Sequence, residues 1–177
     1  LTRDAEFIRA QEPRWGTEVA RIVDGRTNEH GLFPREQYCG DIATPVFSLN
    51  SNAKCWRGLR DIASLLAELG DRDQAGRLAG IAAEFRKNIF AAVEKSERRD
   101  VQPPFIPIAL FGEEQPYDAI TATKIGSYYD LMAPYVIGSR VFGPGTDREK
   151  WMLDYLQQRG GLCMGLPRSR PNPTFWT

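Results

Sequence analysis

Apolar residues along the chain recur mostly at helical spacing. Over residues 4–23, Phe7, Trp15, Val19 and Ile22 fall roughly on one helix face, and Pro13 and Gly16 predict a kink or split in the middle. Residues 24–41 (DGRTNEHGLFPREQYCGD) break this period. The segment is longer than ordinary connections, which places it among functional or disordered loops, and its His30, Phe33, Arg35, Glu36, Tyr38 and Asp41 make it too rich in aromatic and charged groups for a floppy linker. A helical hairpin follows. Ala53, Trp56, Leu59, Ala63, Leu66 and Ala67 hold helical spacing over 52–69. Gly70 supplies the left-handed stop, and Asp71 with Gln74 forms an acidic N-cap close to a capping box. The second helix carries Ala75, Leu78, Ala79, Ala82, Phe85 and Ile89 to about residue 94, with small residues that let helices approach closely.

SERRDVQPP then breaks the pattern, and its Arg98–Asp100 charges read as a solvated turn. Residues 105–110 form a short apolar run, a strand or extended segment. A loop through GEEQPYDAITATK leads to a helix over 127–140, in which Pro134 is expected to end or kink a turn. After FGPGTD, Thr146 or Asp147 caps a helix bearing Trp151, Met152, Tyr155 and Leu156, closed by Gly160 and Gly161. The tail is rich in Gly and Pro and predicts little regular structure. Trp15, Phe85 and Trp151 read as core. Strand alternation and internal repeats are lacking. The expected fold class is all-α, in helical hairpins joined alternately by short and long connections.

Composition narrows the chemistry. The 177 residues carry 23 Lys+Arg against 23 Asp+Glu and 42% hydrophobic residues, an ordinary globular balance for one domain. Zero net charge gives no standing attraction to nucleic acid or anionic lipid. No apolar run reaches the roughly 20 residues a bilayer span needs, and no signal peptide is visible, so a cytoplasmic location is favoured. Cys39, Cys55 and Cys163 lack CxxC spacing, which disfavours a disulfide framework or a zinc site. No metal or cofactor is expected. The chain opens on Leu1 and closes on NPTFWT, so it is expected to be a single partial domain over 1–177, truncated at both ends.

Closed catalytic motifs such as GxSxG, HExxH, a P-loop or GxGxxG are missing. With His30 the only histidine, attention falls on carboxylates and aromatics, the combination of carbohydrate sites: rings stack on sugars, and paired carboxyls do acid–base work. Glu36, Asp41 and Asp130 are the candidate catalytic acids. Asp41 and Asp130 are equally suited to helix capping. Arg57 and Arg60 read as partners of these acids.

Two stretches, HGLFPREQYCGDI and LNSNAKCWRGLRDIASLLAELGDRDQAGRLAGIAAEFRKNI, resemble the six-hairpin glycosidases, the (α/α)6 toroid glycoside hydrolases. SYYDLMAPYVIGSRVFGPG and YLQQRGGLCMGLPR are similar to a repeated element of the same superfamily. The resemblance implies two concentric rings of helices, with long loops at one end forming a sugar-binding funnel and short turns such as Leu69-Gly70-Asp71 at the other. Roughly half the ring is present, and the parent chain supplies the remainder as partner. Asp41 matches the loop acid before the hairpin, and Asp130 matches an acid in the later aromatic segment. Tyr38, Trp56, Tyr128 and Tyr129 are implied to face sugar or to stand behind the residues that do. Arg57 and His30 complete the substrate-binding expectation. The implied activity is cofactor-free hydrolysis of a glycosidic bond in an oligo- or polysaccharide, with the isolated half-funnel inactive.

Two other readings compete. LLAELGDRDQAGRLAGIAAEF is similar to a tetratricopeptide unit, which makes a helical-repeat binding scaffold an alternative, but one unit occurs where a repeat of about 34 residues is needed. The same toroid also serves sugar lyases or epimerases, for which Tyr38, Tyr128 and His30 are possible proton shuttles.

Overall fold

A computed structural model describes residues 4–37, 43–112, 114–120, 124–163 and 166–167. Among these the chain is predominantly helical. Its elements are α1 (Ala5–Ala10), α2 (Glu12–Asp24), β1 (Phe47–Ser48), α3 (Leu49–Glu68), α4 (Arg72–Ser96), β2 (Ala109–Leu110), α5 (Lys124–Ser139), α6 (Asp147–Gln158), β3 (Leu162–Cys163) and β4 (Leu166–Pro167). The all-α expectation holds.

The first apolar stripe divides at Gln11, which ends α1 and caps α2, and Pro13 sits in the first turn of α2 where its missing N–H costs nothing. The Trp15 indole donates to the Ile8 carbonyl at 3.2 Å and ties the two pieces together. The α3–α4 hairpin is the spine. Ser48 caps α3 by accepting from Ser51 N–H, Gly70 turns at φ 88°, and Asp71 caps α4 by accepting from Gln74 N–H at 3.1 Å. α2 lies on one face of this spine, where Trp15 and Val19 cover Ala63, Leu66, Ala75 and Leu78. The main core runs from Leu32 through Leu59, Phe85 and Ile89 to Ile106, Tyr129, Val136 and Leu156.

α5 packs on α3. The Asn50 amide meets the Met132 sulfur at 3.2 Å, and Arg57 donates to the Gly138 carbonyl at 2.8 Å. The pairs run in the same order, so the two helices are parallel. α6 follows the direction of α4, from Arg86 donating to the Val141 carbonyl, through Arg148 donating to Glu97, to Ile120 N–H donating to the Arg159 carbonyl. The described residues of the connections between 25 and 48 and between 97 and 120, with 159–161, therefore gather at one end, the turn at 69–71 lies at the other, and Val141 and Phe142 sit beside Arg86, partway along α4.

Three details depart from the sequence expectation. Pro134 neither ends nor visibly interrupts α5, which continues to Ser139. A proline at 134 withholds one helical hydrogen bond, and burial of Ala133 and Val136 in the core holds the turn together. Asp130 lies inside α5 rather than at its cap. Finally, the tail contains a short antiparallel pair, Leu162↔Pro167 and Cys163↔Leu166, where little regular structure was expected.

Candidate functional site

The long-connection end is built on a two-residue ladder, Phe47↔Leu110 and Ser48↔Ala109, which joins the 25–48 segment to the 97–123 segment over the N-terminus of α3. Asn52 fixes the first segment from the helix: its Oδ1 accepts from Phe33 N–H at 2.8 Å, and its Nδ2 donates to the Ser48 carbonyl at 2.8 Å. Arg26 donates to the Gly31 carbonyl and lies over the Phe85 ring. Gly31 sits at φ 61°, and a Cβ there would collide with Asn88. These contacts explain why a long, polar segment holds one path without regular structure.

Two clusters flank the ladder. In the first, His30 stacks on Phe111 at 4.2 Å between ring centroids and meets Phe47 edge-on at 5.3 Å. Arg35 lies over the other ring, Phe47, at 4.9 Å. Phe111 adopts φ 54°, a left-handed backbone costing on the order of 1–2 kcal/mol for a side chain of this size, and its N–H is held by the Ser96 hydroxyl at 3.0 Å. Such strain concentrates at functional sites. Glu36 belongs to this side. Its backbone bridges Val46 in both directions at 3.0 Å, and its Oε1 is buried without a hydrogen-bond partner among the described residues. Burial, followed by the nearby Glu36 carboxylate, pushes the Cys55 thiol up to about 11, so Cys55 is an inert thiol.

The second cluster packs Phe105, Tyr117, Tyr129 and Tyr155 ring against ring, at centroid distances of 4.9–6.0 Å. Tyr155 fastens the connection to α6 by donating to the Tyr117 carbonyl at 2.9 Å and accepting from Tyr117 N–H at 2.5 Å. Tyr117 in turn donates to Glu114 Oε1 at 2.8 Å, while Glu114 Oε2 accepts from Ala109 N–H at 2.8 Å. Burial raises the Glu114 carboxyl above its ordinary range, and the hydrogen bonds from Ala109, Tyr117 and Ile108 only partly oppose this. Burial likewise holds the Tyr129 phenol well above its ordinary value. Beside the cluster, Asp130 is fully enclosed, and Gly161 approaches so closely that a Cβ there would stand 2.8 Å from Asp130 Oδ1.

The expected site residues thus separate into groups. His30 lies against Phe47 and Phe111 on the first side of the ladder, and Glu36 is bridged to Val46, next to Phe47. Tyr128, Tyr129 and Asp130 lie on the second, and none of the three presents more than 4% of its surface to solvent. Asp41 and Tyr38 lie outside the described residues. Trp56 is also buried, beneath the guanidiniums of Arg60 and Arg86, and lines a groove of about 620 Å³ between α3 and α4 that descends away from the long connections. Arg57 and Arg60 pair with Asp61 on their own helix, at 3.2 Å and 2.6 Å. The i,i+4 spacing of Arg57 and Asp61 puts the two on one face of α3.

Glu114, Tyr117 and Tyr155 were not singled out from the sequence. The only signal was the acidic pair in GEEQPY directly after an apolar run. Among the described residues no group of three or more His, Cys, Asp or Glu could hold a metal ion, and no helix is long and apolar enough to cross a membrane. No family model, curated protein or solved structure matches this chain.

Proposed function

We propose that this chain is part of a glycoside hydrolase of the (α/α)6 class, acting on an oligo- or polysaccharide through a carboxylate acid and base. One observation carries the reading: the long connections gather at one end of the helices with the enclosed acids Glu114 and Asp130 and the half-buried Glu36, while the short turn at 69–71 lies at the other. A funnel enzyme needs that asymmetry; a solenoid scaffold, with short connections at both ends, does not.

In this reading a protonated carboxyl gives its proton to the leaving oxygen, and a carboxylate activates water. Asp130 is proposed as one of the pair, with Glu36 or Asp41 from the 25–48 segment as the other. Tyr128 and Tyr129 support the site from behind, consistent with their burial, and His30 stands nearer its rim, while Trp56 and Arg57 lie farther along α3, toward the α3–α4 groove and the Gly138 carbonyl.

Half a ring encloses no substrate, so the test uses the full-length gene product that contains this segment. Reducing-sugar release from a panel of oligosaccharides is measured for the native protein and for Asp130→Asn. Release that falls by roughly 100-fold or more in the folded variant supports the reading. A product absorbing in the ultraviolet would assign the site to elimination. Equal rates in the two proteins, or no turnover of any saccharide, would sink it.

A further inference from the structure

Between the end of α4 and the start of α6, where the 97–123 connection begins, lies a cavity of about 310 Å³ that the proposed hydrolysis does not use. That volume is at the lower end of the roughly 300–1,000 Å³ typical of ligand sites and suits one small ring. Phe90, Phe142 and Trp151 form its apolar walls, and Phe90 meets Phe142 edge-to-face at 5.7 Å. Arg99, Arg148 and Asp147 supply the polar rim.

The rim is fixed by a buried carboxylate. The Glu97 side chain is only 2% exposed and accepts from Nε and Nη2 of both Arg99 and Arg148. The Nη1 edges take no part in that clamp. Each guanidinium is also seated on an aromatic ring, Arg99 over Trp151 at 5.2 Å and Arg148 over Phe90 at 5.2 Å. The cations are thus held in place before any ligand arrives, which lowers the ordering cost of binding.

The charges select the ligand class. Arg99 and Arg148 are matched by Glu97 and Asp147, and Arg86, which also lies over Phe90, gives its Nε and Nη2 to the Val141 and Phe142 carbonyls, so the charged groups that line the cavity leave no surplus with which to prefer an anion or a cation. It offers hydrogen-bond donors (the two guanidiniums) and an acceptor (Asp147) around an aromatic wall. A pyranose ring matches this arrangement, with C–H faces for the aromatic wall and hydroxyls of both hydrogen-bonding senses at the rim.

We propose that the cavity formed by Trp151, Phe90, Phe142, Arg99 and Arg148 is a binding subsite for a single neutral sugar unit, lined by none of the acids Glu36, Glu114 and Asp130. It goes beyond the hydrolase reading and does not require it, since a non-catalytic sugar-binding protein would use the cavity in the same way.

The test titrates the folded chain with glucose, galactose, mannose and xylose, and follows amide shifts by heteronuclear NMR. One of these probes should shift the Arg99 and Trp151 resonances saturably. The expected Kd is on the order of millimolar, as ordinary ligand efficiency gives for a molecule this small. Trp151→Ala should weaken it at least about tenfold, and Arg99→Gln, in which Arg148 still holds the Glu97 carboxylate, should weaken it by about threefold or more, with the fold of each variant checked by its amide spectrum. Asp130→Asn should leave binding unchanged, so loss of hydrolysis and loss of this subsite are read separately. Saturable shifts with glucuronate but with none of the neutral sugars would overturn the neutral class. No saturable shift with any probe, or equal binding in both cavity variants, would overturn the site itself.

Discussion

Tyr129 and Tyr155 share one aromatic cluster, yet their hydroxyls stand in opposite situations. The Tyr155 hydroxyl has two backbone partners at Tyr117, whereas the Tyr129 hydroxyl is buried with no hydrogen-bond partner among the described residues. An enclosed hydroxyl without a partner costs roughly 1–3 kcal/mol. Tyr129→Phe is therefore expected to leave stability unchanged or raise it by about 1 kcal/mol, and Tyr155→Phe to lower it by roughly 1–3 kcal/mol, both read from urea midpoints at constant slope. The reverse order would mean that Tyr129 meets a partner through water. Glu114 and Glu97 make a second contrast. Burial leaves Glu114 with a native pKa above its ordinary 4.5, so the native state holds more protons than the unfolded state over that interval, and stability falls as pH rises from about 4.5 through the native value. Burial also works to raise Glu97, but hydrogen bonds from Arg148 and Arg99 outweigh it and the net shift is downward. That contribution is present above 4.5 and is lost as pH falls through the native value. Glu114→Gln should flatten the decline on the alkaline side of 4.5, and Glu97→Gln should flatten the acid limb, in unfolding free energies taken between about pH 3 and 8. Unchanged slopes in both variants would show that neither carboxyl titrates differently on folding.

At the scale of elements, what could be read from the sequence was what the chain decides locally. The Gly70 stop and the Asp71 cap depend on residues within four positions of one another, and both form where the spacing places them. The α3 stripe from Ala53 to Leu66 is buried as its period requires. Failures occur where a distant partner decides. Pro134 is an interior helix breaker by local rules, but α5 runs through it because Ala133 and Val136 are locked in the core. Arg57 and Arg60 meet Asp61, and Arg57 also the Gly138 carbonyl eighty-one positions away, a contact that only the packing of α5 on α3 provides. The candidate site follows the same division. Asp130 was visible as an acid in an aromatic setting, but its complete enclosure depends on Gly161, thirty-one positions away. Glu114 was invisible because only the pairing of β2 with β1 aims the Ala109 N–H at its carboxylate. Trp151 read as core, yet it walls a cavity with Arg99, because α6 meets the end of α4 only in three dimensions.

At the scale of the whole molecule, a chain amounting to half a ring would leave inner helices facing water, and its melt would be broad with strong binding of a hydrophobic dye. The packing argues for a different outcome. One contiguous cluster links Leu32 on the first long connection to Leu156 on α6, and among the described residues the only large hydrophobic side chains classed as exposed are Phe7, Tyr135 and Leu153. The groove between α3 and α4 is lined mainly by alanines, which offer a dye little to hold and cost little when wet. The 177-residue chain should therefore unfold in one cooperative transition, coincident by far-ultraviolet and near-ultraviolet circular dichroism, with weak dye binding below the midpoint. Such a melt leaves the hydrolase proposal standing, because a segment can fold on its own core and still lack the other half of a funnel. It would also make Trp151→Ala and Asp130→Asn interpretable in the isolated chain, since loss of binding could be separated from loss of fold. Two transitions, or a near-ultraviolet signal lost well before the far-ultraviolet one, would mean instead that α5 and α6 hold to the α3–α4 spine only with neighbours seated in the open groove, and binding would then have to be measured in the longer protein.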